Sequence, residues 1–180
     1  LLTLLLVRRW APLLPAPVPV RPEERSPWLV AGALVTLFPI LAANLAIAFT
    51  YEPNNYDSMT YHLPRVMYYL GHNSLAHFET ADFRQVYYPF NYNLLQLFCL
   101  IYDAPVQSVT FLNVVMWALA GVAVFRIARL GGSSFNASLL ASWLTLTSTE
   151  IVAQGTSTIL DLPSATALAC AVLLALRWRE

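Results

Sequence analysis

Reactive side chains are concentrated in one stretch that follows an apolar segment of the chain. Asp57 stands in this stretch directly after Tyr56. A carboxylate among aromatic rings at a membrane surface can take a proton from a substrate hydroxyl, so Asp57 is a candidate general base. The structural alternative is that Asp57 caps the following helix by accepting hydrogen bonds from first-turn amides. The two interpretations are compatible, and the sequence leaves both open.

A second acidic residue, Asp161, opens the last apolar segment of the chain. An ionisable side chain at the edge of a hydrocarbon layer is costly, and such a residue is a functional candidate by default. The structural alternative is again an N-cap, because Pro163 follows early in the helix, where a missing N–H costs nothing. Asp161 is therefore the second candidate catalytic residue.

A third cluster lies between these two acids and contains His77, Glu79, Asp82, Arg84 and Gln85. One histidine and two carboxylates could bind a divalent cation, but their spacing matches no metal-binding motif. A solvated loop is the simpler interpretation, and we assign no metal ligand.

Two arginines of this region, Arg65 and Arg84, could each clamp a phosphate, because a guanidinium offers paired donors. The alternative for both is an arginine that extends from apolar surroundings toward water. His62 is most simply a surface residue of the loop.

The composition of the chain predicts that the elements positioning these residues are those of a membrane protein. Hydrophobic residues make up 58% of the 180 residues and charged residues 11%, against about 45–50% and about 25% in soluble domains. Net charge is zero and there is no lysine, which argues against nucleic-acid binding. Cys99 and Cys170 lack metal-ligand spacing and are interpreted as buried free thiols.

Hydropathy predicts an all-α, polytopic transmembrane helical bundle. The predicted spans are about 28–50, 106–128, 135–152 and 160–176, and a kink is expected at Pro39. The outer loop, residues 51–105, contains two shorter amphipathic pieces. Residues 57–70 carry apolar side chains at helical spacing, and residues 93–102 are too short to cross. We expect both pieces to be helices lying in the membrane interface.

Charge gives the orientation of these spans. With alternating topology, eight arginines fall on one side, which the positive-inside rule makes cytoplasmic; they are Arg8, Arg9, Arg21, Arg25, Arg126, Arg129, Arg177 and Arg179. Arg65 and Arg84 fall on the outer side. Seven acids also fall there; they are Glu52, Asp57, Glu79, Asp82, Asp103, Glu150 and Asp161. The outer face therefore carries the residues suited to chemistry.

The first part of the chain, residues 1–27, is predicted to be separate from the bundle of residues 28–180. The apolar run at 1–7 lacks the basic flank of a signal peptide and is interpreted as the end of a cut transmembrane helix. A proline-rich cytoplasmic loop follows it. We therefore expect the chain to be an N-terminal fragment of a larger protein.

Three motifs, in this order, resemble the polytopic GT-C glycosyltransferases. This superfamily includes the protein O-mannosyltransferases and the aminoarabinose transferases that modify lipid A, in glycosyltransferase families 39 and 83. The segment YDSMTYHLPRV at 56–66 is similar to bacterial mannosyltransferase-like members. RQVYYP at 84–89 is similar to the basic, proline-containing stretch late in the same loop. TILD at 158–161 resembles the acidic start of their fourth helix.

The resemblance implies a sugar transfer outside the cytoplasm, from a polyprenyl-phosphate donor to an acceptor glycan, lipid or protein. Asp57 would be the base that activates the acceptor hydroxyl, and Asp161 a second acid near the donor. Arg84 would face the donor phosphate, and Arg65, His62 and Gln85 complete the candidate substrate-binding set. The implied location is the cell membrane, as a multi-pass protein of a bacterial inner membrane. A divalent metal is compatible with this chemistry.

Two other classes of function remain open. A fragment of a polytopic transporter would also use acids in or near the membrane and broken helices. It would, however, place charges near the middle of its spans, whereas here they gather in the outer loop. A membrane subunit without catalytic activity would use the same loop for a protein contact.

Overall fold

A computed structural model of the protein describes residues 25–178. The predicted cut helix end, the proline-rich loop up to residue 24, and Arg8, Arg9, Arg21 and Arg179 lie outside the described residues. Within them the regular structure is entirely helical, without strands. The elements are α1 Pro27–Thr50, a π-helical turn Ser58–His62, α2 Leu63–His72, α3 Arg84–Tyr87, α4 Asn91–Ile101, α5 Gln107–Leu130, α6 Phe135–Thr147, α7 Thr149–Gln154 and α8 Asp161–Arg177.

Two of the described helices, α1 and α5, are long and apolar enough to cross a membrane. Ser26 starts α1 by accepting a hydrogen bond from the Leu29 amide at 3.4 Å, and Pro27 occupies the first turn, where it costs no hydrogen bond. Only 11% of the apolar window of α1 is buried, against 44% for α5. Most apolar side chains of α1 therefore face outward, the arrangement expected of a helix in contact with lipid.

The predicted span 135–152 is not one helix. Its helical path stops at Ser148, whose ψ of 132° is extended, and divides into α6 and α7. Ser and Thr residues on both sides of the break compete for backbone hydrogen bonds and weaken the helix. The 13 residues of α6 extend about 20 Å, less than the roughly 30 Å of a hydrocarbon core. The predicted spans 28–50, 106–128 and 160–176 coincide with α1, α5 and α8.

Helices α1, α5, α6 and α8 pack side by side. Along α5, the Phe125 ring contacts Phe135 at a centroid distance of 5.5 Å, while Trp117 Nε1 donates to the Leu146 carbonyl at 3.1 Å. These contacts make α6 antiparallel to α5. Thr166 of α8 donates to the carbonyl of Met116 at 3.2 Å. Asn113, earlier in α5, donates to the carbonyl of Ile159, which lies just before the start of α8. The two contacts follow the same order along both segments, so α8 runs parallel to α5.

These directions bring the predicted arginine-rich ends together. The Ser26 amide donates to Asn136 Oδ1 at 3.0 Å, and the Arg25 guanidinium lies 4.7 Å from the Phe135 ring centre. The start of α1 therefore meets the start of α6, next to the end of α5 that carries Arg126 and Arg129. The segments containing Asp57 and Asp161 lie at the opposite end. This arrangement agrees with the alternating directions predicted from charge.

The loop from 51 to 105 packs as a small helical unit on the start of α5. Its core holds Leu63 and Val66 of α2 against Leu97 and Leu100 of α4. The predicted helix over 57–70 is thus present, but its first turn is π-helical. Two of the apolar residues at this helical spacing, Met59 and Met67, are exposed, whereas Leu63 and Val66 are buried.

The short helix α4 buries two amides beside Leu97 and Leu100 and leaves other apolar side chains exposed. Asn93 and Gln96 are fully buried, whereas Leu95, Phe98 and Ile101 are exposed. In water this distribution would be unfavourable, because apolar side chains gain by leaving water and amides lose by doing so. The exposed apolar face supports the predicted position of this helix at a membrane interface.

Candidate functional site

The segment that carries Asp57 becomes helical at Tyr56, three residues after Pro53. Asn55 starts it, because its side-chain oxygen accepts from the Ser58 amide at 2.8 Å and its carbonyl accepts from the Met59 amide at 3.1 Å. Asp57 already has helical backbone angles and makes no side-chain cap. The N-cap interpretation of Asp57 is therefore wrong, and Asn55 satisfies the first amides in its place. The Asp57 carboxylate remains available for other contacts.

The Asp57 carboxylate lies near Tyr61, one turn later, and its charge acts on the Tyr61 hydroxyl. Burial raises the pKa of Tyr61 to about 12, and the negative charge of Asp57 adds to the effect. The Tyr61 hydroxyl therefore stays protonated at neutral pH. Asp57 itself is partly exposed, so solvent or a substrate can reach its carboxylate.

A buried polar contact joins the Asp57 segment to the segment before Asp161. The Ser58 hydroxyl lies 2.5 Å from the Thr158 hydroxyl, across 100 residues of sequence, and also accepts from the Thr158 amide at 3.3 Å. Gln96 donates to the Thr158 carbonyl at 3.1 Å. All three side chains are fully buried. Their hydrogen bonds bring the two candidate carboxylates into one region of the molecule.

Asp161 is the first residue of α8, and its side chain makes no cap. The N-cap interpretation is therefore wrong here too: Leu160 holds that position, and Asp161 lies exposed in the first turn. A carboxylate in the first turn is favoured by the helix dipole. Pro163 lies early in the helix, as expected.

His62 is buried between these acids, with only 1% of its surface exposed. The expectation of a surface histidine is wrong, because the π-turn directs this side chain inward beside Asn93, whose amide nitrogen lies 3.4 Å from Nδ1. Its Nε2 has no hydrogen-bond partner. Burial lowers the pKa of His62 below its usual value, while the charges of Asp57 and Asp161 oppose this shift. The ring is therefore neutral at physiological pH.

Arg65 is also buried, at 1% exposure. Its guanidinium donates to the Arg84 carbonyl at 2.5 Å, to the Tyr88 carbonyl at 2.9 Å and to the carbonyl of Gln85. These carbonyls surround the C-terminus of α3, where cations are favoured. Arg65 thus holds the 84–89 segment in place, and the predicted direct contact with a substrate phosphate is replaced by a structural role.

The Arg84 guanidinium pairs with Asp82, its Nη2 lying 2.7 Å from Oδ2, and it stacks over the Tyr61 ring at 4.8 Å from the ring centre. It also lies over Tyr56, at 5.6 Å. The Asp82 hydrogen bond raises the pKa of Arg84 above its usual value, and the same contact lowers the pKa of Asp82. A phosphate would have to share this guanidinium with Asp82.

Gln85 connects the two parts of the loop. Its amide donates to the Thr60 carbonyl at 2.7 Å and its oxygen accepts from the Thr80 hydroxyl at 2.9 Å. Both polar ends of the predicted substrate-binding residue are therefore used within the protein. His77 and Glu79 are exposed, and residues 25–178 contain no group of three His, Cys, Asp or Glu side chains that could hold a metal ion.

Several residues that organise the site were not singled out by the sequence. Asn113 donates to the carbonyls of Gln154 and Ile159 at 3.0 and 3.1 Å, and its oxygen accepts from the Tyr92 hydroxyl. The sequence does carry a signal for these residues: side-chain amides stand inside otherwise apolar runs, at position 113 in α5 and at positions 93 and 96 in α4. In such runs an amide must find a partner within the protein.

Comparisons with protein-family models, with curated proteins and with solved structures find no match to this chain.

Proposed function

We propose that the chain is part of a polytopic GT-C-like glycosyltransferase, acting at the outer face of a cell membrane. The observation that carries the proposal is the Ser58–Thr158 contact, which joins the segment of Asp57 to the segment before Asp161 at one end of the helices. A membrane enzyme that deprotonates a hydroxyl needs such acids at the edge of the hydrocarbon layer, within reach of both lipid and water.

The proposed location rests on three features. Helices α1 and α5 are long and apolar enough to cross, and α4 exposes an apolar face beside them. The arginines outside the loop that the structure describes, Arg25, Arg126, Arg129 and Arg177, lie at the opposite end from the carboxylates, as the positive-inside rule requires for an outer-face site. We infer a multi-pass membrane protein, and the resemblance suggests a bacterial inner membrane.

In the proposed reaction, a hydroxyl oxygen of the acceptor forms a bond to the anomeric carbon of the sugar. The bond from that carbon to the donor phosphate oxygen breaks, and polyprenyl phosphate leaves with the electron pair. Asp57 takes the hydroxyl proton, while the neighbouring Tyr61 hydroxyl stays protonated because burial and the charge of Asp57 raise its pKa. Because the leaving group is already a stable phosphate anion, the protein needs a positioned base and charge stabilisation. Arg84 would supply part of that charge by sharing its donors between Asp82 and the phosphate.

The test measures sugar transfer in membranes that contain the full chain, using radiolabelled hexoses and pentoses linked to polyprenyl phosphate. Asp57→Asn should reduce transfer at least about 100-fold, the usual contribution of a positioned base. Asp103→Asn is the matched control, because Asp103 is an exposed acid of the same loop whose positive φ of 55° also suits asparagine. Full activity of Asp57→Asn, with membrane insertion unchanged, would remove Asp57 from the role of base.

A further inference from the structure

A groove of about 490 Å³ opens between α4, α5 and α8, beside the start of α8. Its walls are largely apolar; they include Leu95, Met116, Leu119, Pro163, Ala167 and Cys170. None of the described chain fills it. Its polar lining residues are Asn91, Tyr92, Ser164 and Thr166. The hydroxyls of Tyr92 and Thr166 donate to Asn113 and to the Met116 carbonyl, whereas Ser164 lies one turn after Asp161, at the start of α8. The groove therefore has a polar mouth and an apolar body.

The shape of the groove suits a single hydrocarbon chain. Leu95 and Leu119 line it and are 38% and 42% exposed, so it is open sideways along α5, one of the two helices long enough to cross a membrane. From Pro163 to Cys170 it follows α8 for about 10 Å at 1.5 Å per residue. One leaflet of hydrocarbon is about 15 Å thick, so the groove covers the upper part of one leaflet.

The charge at the mouth favours one kind of head group. Asp161 lies one turn before Ser164 and is exposed. Within residues 25–178 the one ion pair joins Arg84 to Asp82, so Asp161 forms no ion pair there. The guanidinium of Arg65 is directed at backbone carbonyls. An anionic head group at the mouth would meet a carboxylate without a neighbouring cation to offset it. A neutral head group with hydroxyls can donate hydrogen bonds to that carboxylate.

We propose that this groove holds the hydrocarbon chain of the acceptor, and that the acceptor is a neutral, hydroxyl-bearing membrane lipid. This inference rests on the proposed glycosyl transfer and names its acceptor class. The lipid chain enters sideways from the bilayer between α5 and α8, and its head group emerges beside Asp161. The Ser58–Thr158 contact keeps Asp57 in the same region. A hydroxyl of the head group is thereby presented where the proposed base acts.

The test is photo-crosslinking of the full chain in phosphatidylcholine vesicles. The probe is a monoglycosyl diacylglycerol with a diazirine in one acyl chain, and its control is phosphatidylglycerol with the same chains. We expect the neutral glycolipid to label α5 and α8 peptides at least about fivefold more strongly, the ratio that 1 kcal/mol of head-group discrimination produces. Equal labelling by both lipids would contradict the assigned head group.

Two alanines of α8 provide matched variants. Both are exposed, but Ala167 lines the groove and Ala165 does not. Ala167→Trp should fill the groove and abolish the labelling, whereas Ala165→Trp should leave it unchanged. Labelling that persists in Ala167→Trp would overturn the groove as the binding site.

Crosslinking requires no sugar transfer, so the two proposals can fail separately. Labelling of the groove by glycolipid without transfer from any polyprenyl-phosphate donor would overturn the proposed function and leave the lipid site standing. Transfer to a water-soluble acceptor that is undiminished in Ala167→Trp would overturn the lipid as acceptor and leave the glycosyltransferase standing.

Discussion

Replacement of Arg65 by methionine should destabilise the protein strongly, although no carboxylate of residues 25–178 forms an ion pair with this cation. From a fully buried position its guanidinium donates to Asn93 Oδ1 and to four carbonyls, those of Arg84, Gln85, Tyr88 and Pro89. A hydrogen bond to a charged group contributes about 1.5–3 kcal/mol. Against this stands the cost of burying a cation, which a methionine of similar length does not have.

The balance for Arg65→Met is a loss of about 3 kcal/mol in the free energy of unfolding, because the four carbonyls and Asn93 Oδ1 lose this donor. That is roughly a hundredfold change in the folding equilibrium. Unfolding in detergent, followed by circular dichroism, measures it. The control is Arg126→Met, at an exposed position of α5. Equal stability of the two variants, within about 0.5 kcal/mol, would refute the structural role of Arg65.

Three further predictions concern packing, pH and the link between the acids. A Cβ at Gly121 would meet Leu146 Cδ1 at 2.4 Å, so Gly121→Ala should cost about 1–3 kcal/mol; Gly71→Ala, with nothing within 4 Å, should be neutral or stabilising in the same unfolding assay. Because burial lowers the pKa of His62, the unfolded chain binds the extra proton. Stability should therefore fall as pH drops below about 6.5. His62→Gln should flatten this slope in thermal scans, and exposed His72→Gln should not; an unchanged slope in His62→Gln would contradict the assignment. A double-mutant cycle of Ser58→Ala and Thr158→Val should give a coupling of about 1 kcal/mol in unfolding, whereas additivity would mean that the hydroxyl contact is not stabilising.

The long helices followed from the sequence because their signal is local. Apolar runs set the bounds of α1 and α5 to within two residues. The break at Ser148 was missed, since serine and threonine are tolerated in apolar helices and hydropathy alone does not detect a local extended residue.

The site was predictable only in part, because its contacts connect distant segments. Asp57 and Asp161 were identified from their positions at the edges of apolar runs. Asn55 and Asp57 are both good N-cap residues, and only the structure shows which one caps. The structural role of Arg65 depends on carbonyls about 20 residues later in the chain, near Gln85. No spacing of residues in the sequence indicates that contact.

The most direct test of the central claim is the membrane side of the proposed site. Single cysteines at Asp57, Arg84 and Asp161, in a chain with Cys99 and Cys170 replaced by serine, are labelled in intact cells with an impermeant maleimide. Arg126→Cys is the control for the other end of the helices. We expect labelling at the first three positions and protection of the fourth until the cells are lysed. The reverse pattern, with only position 126 labelled, would contradict an outer-face site.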